Sequence, residues 1–103
     1  MSKTPIKVGL KPMHPGELLR EDILPALKRS KTEIARLLGV SRQTLYDILD
    51  EKQPVTPAMA LRLGKLCGNG PNLWLNLQHA FDLHQETKRI GEKIKQIPTL
   101  TAA

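Results

Sequence analysis

Residues 31–52 read KTEIARLLGVSRQTLYDILDEK, and this stretch decides the fold. It predicts two short helices joined by a tight turn. The first covers Lys31 to Leu38. Gly39 falls where a left-handed cap is needed, a conformation glycine reaches without steric cost. Val40 plugs the turn with an apolar side chain. Ser41 is placed to cap the second helix by accepting from an orphan N–H. That helix runs from Arg42 to about Leu49. Ile34, Ala35, Leu38, Val40, Leu45, Ile48 and Leu49 fall where the two helices face each other and the interior. Ala35 is small where the helices cross closely. This is the pattern of a helix-turn-helix, whose second helix lies in the DNA major groove.

Apolar periodicity alone does not separate this motif from a purely structural hairpin. The outward face does. Arg42, Gln43, Thr44 and Asp47 project from the second helix, all with hydrogen-bonding tips, where a merely solvated helix more often carries Glu and Lys pairs. Arginine suits guanine O6 and N7, and glutamine suits adenine N6 and N7, so these four are the candidate base readers. Lys31, Thr32, Ser41 and Lys52 are candidate phosphate contacts, which position a domain without reading sequence. Tyr46 either joins them through its hydroxyl or packs. Between Lys28 and Thr44 stand five basic residues (28, 29, 31, 36 and 42) and one acid, Glu33, a local balance of +4.

The segment TEIARLLGVSRQTLYDIL (residues 32–49) resembles the helix-turn-helix of the Cro/phage-repressor (XRE) family. The flanks MHPGELLREDIL (13–24) and VTPAMALRLGKLCGNGPNLWLNLQHAFDL (55–83) resemble the HigA antitoxin family of toxin–antitoxin modules. The likeness covers about residues 12 to 85, and the HPGE opening and the WLNLQ helix are its most distinctive parts. It implies an all-α fold: a five-helix bundle of the lambda-repressor-like DNA-binding type with an additional C-terminal helical extension. It implies a homodimer that sets two recognition helices on a two-fold operator, half-sites about 34 Å apart. It implies an antitoxin and autorepressor, acting on double-stranded DNA in its own promoter and neutralising a RelE-like ribonuclease toxin. One departure is visible: the XRE pattern usually has glycine near position 51, and this loop has none.

Composition fits that reading. A chain of 103 residues is one domain and buries about 60–65% of its unfolded surface. With 40% hydrophobic but only 3% aromatic residues, the core is built from Leu, Ile and Ala, which suits helices. Sixteen basic and ten acidic residues give +6, a sign favourable to polyanions though common among small proteins. A single cysteine, Cys67, excludes an internal disulfide and reads as a small core residue. No apolar run approaches a membrane span and no signal region opens the chain, so the expected location is the cytoplasm.

Residues 1–13 read as an extended basic arm, 14–84 as the DNA-binding domain and 85–103 as a helical extension and tail. His14-Pro15-Gly16-Glu17 opens the first helix, His14 capping rather than ligating a metal, with Pro15 at its first position. Pro25 ends or bends it. Ser30 to Glu33 spells a capping box. Thr56-Pro57 starts a fourth helix, and Asn72 is expected to cap a fifth. On the fifth, Trp74, Leu77, Phe81 and His84 form one stripe, continued by Ile90 and Ile94. This stripe is the candidate dimer or partner surface, although Trp74 and Phe81 equally suit a monomer core. The tail either extends the fifth helix or folds separately. No carboxylate pair, nucleophile–base arrangement, phosphate-binding glycine loop or metal cluster appears, so an enzyme with catalytic residues or cofactors is not expected. A stand-alone XRE-type regulator and a helical protein-interaction module remain as alternatives.

Overall fold

The computed structural model describes residues 11–102, which form five helices and no strand. The basic arm expected at residues 1–13 lies, up to residue 10, outside the described residues. Helix α1 is a single run in three parts: Pro15–Leu18, a π-helical turn Leu19–Ile23, and Leu24–Leu27. Then come α2 (Lys31–Leu38), α3 (Arg42–Leu49), α4 (Pro57–Cys67) and α5 (Pro71–Ile94). The long α5 gives the molecule extents of 53 × 35 × 27 Å.

The ends of these helices follow from the sequence. His14 Nδ1 accepts from the Gly16 N–H at 2.8 Å, capping α1. Burial pushes this imidazole below its ordinary pKa, which suits a cap that must accept. Ser30 Oγ accepts from Glu33 N–H and Ser41 Oγ from Thr44 N–H, each at 3.0 Å, and Thr56 Oγ1 accepts from Met59 N–H at 3.2 Å. The capping box at Ser30 is made only in one direction, because the Glu33 carboxylate accepts from Arg29 Nη1 at 2.6 Å instead. Asn72 does not cap α5. Pro71 is its first residue, needing no donor there, and Gly70 precedes it as the cap. Pro25 bends α1 without ending it. Having no N–H for the Glu21 carbonyl, it stands just after a widened turn in which Leu24 N–H reaches the Leu19 carbonyl, five residues back.

Thirteen apolar residues from all five helices and one loop form the core: Leu19 and Leu24 (α1), Ile34, Ala35 and Leu38 (α2), Leu45, Ile48 and Leu49 (α3), Val55, then Met59, Ala60 and Leu63 (α4), and Trp74 (α5). Six of the seven residues assigned to the motif's interior are buried, and Val40 is half-buried in the turn. Leu66 and Cys67 are also half-buried, and burial pushes the Cys67 thiol upward, away from the reactive thiolate.

Helix α1 meets α3 at unusually short range. A Cβ built on Gly16 would stand 1.9 Å from the Ile48 carbonyl oxygen, which is backbone on both sides and has no flexible end to yield. Only a hydrogen fits. Gly16→Ala is therefore expected to force the two helices apart and destabilise the domain by about 3 kcal/mol or more, at the upper end for an overpacked core. Urea denaturation checks this, and a midpoint unchanged from the parent's contradicts it.

Candidate nucleic-acid interface

The recognition helix α3 is held at both ends, and its outward face is what remains free. At its start, the turn from α2 closes as a Schellman motif. Gly39 takes φ +76°, its N–H reaches the Arg36 carbonyl, and Val40 N–H reaches Ala35. Arg62 of α4 adds a second fastening, its guanidinium donating to the Leu38 carbonyl at 2.7 Å. Sequence reading missed Arg62, since nothing in its spacing shows that a cation meets the last carbonyls of a helix 24 residues earlier.

At the other end of α3, the same motif recurs without glycine. Glu51 N–H reaches Ile48, Lys52 N–H reaches Asp47 at 2.8 Å, and Glu51 itself takes φ +62°. The missing glycine thus leaves the loop geometry intact, with a glutamate in the left-handed region at a cost of roughly 1 kcal/mol. Arg20 of α1 stands over this turn. Its guanidinium donates to the Leu49 carbonyl and lies 3.4 Å from the Glu51 carboxylate.

The loop after α3 is tied to α5 by a residue the sequence reading passed over. Gln78 is buried, its Oε1 accepting from Val55 N–H at 2.8 Å and its Nε2 donating to Asp82 at 2.9 Å. The signal was present: Gln78 lies one helical turn after Trp74, on the inward face.

On the free face, Arg42 and Gln43 are exposed at the first turn of α3, and Thr44 and Asp47 are half-buried beside them. Ser41 Oγ spends its proton on Thr44 Oγ1 at 2.9 Å, and Gln43 Nε2 donates to Asp47 Oδ1 at 2.7 Å. Lys31 and Thr32 are exposed at the start of α2, and Lys52 is exposed just past α3. Lys31 Nζ lies 5.8 Å from the centroid of the Tyr46 ring, which is 40% exposed, so Tyr46 packs beneath a cation on this face. The structure thus brings the four candidate readers, Ser41 and Tyr46 together on α3 and its cap, with Lys31 beside them at the start of α2.

The candidate partner surface needs correction. Trp74 is wholly buried, its indole N–H donating to Asn69 Oδ1 at 3.0 Å, and belongs to the core because its α5 face meets the bundle. Phe81 is half-buried under its own chain, edge-on to His14 at 4.9 Å with Lys11 Nζ 5.3 Å away. Leu77, His84 and Ile90 are half-buried, and Ile94 is half exposed. The tail continues α5 without a break to Ile94, four residues short of Pro98. Beyond the bundle, Leu83, Thr87, Ile90 and Ile94 line one shallow apolar groove with Glu86. Among the described residues no group of three His, Cys, Asp or Glu side chains could hold a metal ion, and no helix is long and apolar enough to cross a membrane.

Comparison with known proteins follows the same outline. The CENP-B N-terminal DNA-binding domain profile matches residues 27–55, the motif itself. Antitoxin HigA-1 of Vibrio cholerae serotype O1 is 31% identical over 94 residues, 91% of this chain and 89% of that protein. Among solved structures, antitoxin GraA in complex with its operator superposes with TM-score 0.83 at 40% identity, over 95% of this chain and 100% of that one. Pseudomonas aeruginosa antitoxin HigA with the higBA promoter gives TM-score 0.81 at 35% identity, over 87% and 99%.

Gln78→Leu removes the side-chain acceptor of the buried Val55 N–H. It is expected to cost about 1–3 kcal/mol and to speed hydrogen exchange at Val55 above that of the α3 core amides. Equal stability and an unchanged Val55 exchange rate contradict the tether.

Proposed function

The chain belongs to the family of HigA-type helix-turn-helix antitoxins, and on that footing we propose that it is an antitoxin and transcriptional autorepressor. It binds operator DNA in its own promoter as a homodimer and neutralises a cognate RelE-like ribonuclease toxin in the cytoplasm. It does no catalysis of its own. The observation that carries the DNA reading is the exposed pair Arg42 and Gln43 at the start of a recognition helix whose apolar face is buried and whose flanking turns are held by Arg20 and Arg62. The solved relatives bound to an operator or promoter share the scaffold that presents this pair.

In this reading Arg42, Gln43, Thr44 and Asp47 face base edges. Lys31, Thr32, Ser41, Tyr46 and Lys52 face phosphates. Two such faces meet a two-fold operator when the α5 extensions pair through Leu83, Ile90 and Ile94, leaving Leu77 and His84 at the margin. Binding is salt-dependent, because each neutralised phosphate releases counterions. Co-expression with the protein encoded beside this gene tests the antitoxin half: a stable complex and restored growth support it, and no association leaves only a stand-alone regulator.

The DNA half has a sharper test. Arg42→Ala is expected to cost about 1–3 kcal/mol on the upstream region of this gene and to relax preference at one base pair. Lys52→Ala is expected to weaken all duplexes alike and flatten the salt slope by about one. Fluorescence anisotropy on promoter and random duplexes separates the two. Equal losses for Arg42→Ala on both would contradict base reading.

A further inference from the structure

We propose that Asp47 is a positioning residue that fixes which way round Gln43 presents its amide, so that the two act as one adenine-selecting unit. The inference rests on the DNA-reading function above and deepens it. Gln43 and Asp47 stand one helical turn apart on the free face of α3, joined by the 2.7 Å bond from Nε2 to Oδ1. A carboxylate only accepts, so it holds the NH2 end of the amide and repels the carbonyl end. Without it, the two ends of the amide exchange by a half-turn about the last torsion at little cost. With it, one N–H is spent on Asp47, and the carbonyl oxygen and one N–H remain. One acceptor beside one donor is the complement of adenine N6 and N7.

Asp47 has a second, opposite effect on affinity. Its negative charge lies on the face that approaches phosphates, so it weakens contact with any duplex. A residue that lowers general affinity while sharpening choice raises specificity from both sides. Its half-buried position keeps the carboxylate at the helix surface, bonded to the Gln43 amide. The Arg42 guanidinium precedes both and bonds to neither, which leaves it for a different base.

The test selects preferred sites from a randomised duplex pool with the parent, Asp47→Ala, Asp47→Asn, Gln43→Ala and the Gln43→Ala/Asp47→Ala double variant. Anisotropy titrations on the selected site, its single-base variants and random DNA follow. Thermal melts confirm that each variant is folded. The parent is expected to select adenine at one position, and Asp47→Ala to lose about five- to tenfold of that preference while binding random DNA more tightly. Asp47→Asn offers a donor as well as an acceptor, so it can hold either end of the Gln43 amide and is expected to lose most of the preference as Asp47→Ala does. In the Gln43→Ala background, removing Asp47 is expected to change no base preference. Two results overturn the proposal: an adenine preference that survives Asp47→Ala, or a base preference that shifts equally with and without Gln43. If the parent itself selects no site, the DNA-reading function fails instead.

Discussion

The contact on which the rest depends is that of Gly16 with the Ile48 carbonyl. It lets the first helix lie against the backbone of the recognition helix rather than against its side chains. Leu19 and Leu24 then reach the same core as Ile34, Leu45 and Trp74. From that closeness Arg20, one turn on, reaches the last carbonyls of α3. The recognition helix is only eight residues long, too short to persist alone in water. Its order comes from what grips it: α1 at the far end, Arg62 and the Gly39 turn at the near end, and Gln78 through the loop beyond.

This explains why the working face carries so little structural duty. Every apolar residue of α3 points inward except Tyr46, and its main-chain ends are capped by Ser41, by the turn that follows it and by Arg20 of α1. Arg42 and Gln43 are therefore free to be chosen for chemistry. The polar tips are already ordered, Ser41 on Thr44 and Gln43 on Asp47, so part of the entropy of ordering is spent before any groove is entered. In the proposed reading, affinity and choice are divided within the motif, cations around its edge and hydrogen-bonding tips at its centre.

Much of this was legible in the residues. Caps at Ser30, Ser41 and Thr56 follow from local chemistry acting over three or four residues, and the buried stripes of α2, α3 and α4 follow from helical period. What escaped was long-range. Arg62 and Gln78 satisfy backbone groups 24 and 23 residues away, and no local pattern announces such a meeting. The stripe on α5 was read as one surface, but the bundle covers only its first part, so Trp74 is core while Ile94 is open. Asn72 lost the cap because a proline at the first helical position fixes the start two residues earlier, with Gly70 as the cap.

Glu51 carries a consequence for how such chains vary. It occupies a left-handed turn that glycine would fill freely, beneath the Arg20 guanidinium. With glycine there the torsional cost disappears, and the Arg20 guanidinium loses one partner while keeping the Leu49 carbonyl and the Glu21 carboxylate. The two positions, 31 apart in sequence, are thus joined by one ion pair over the turn that closes α3.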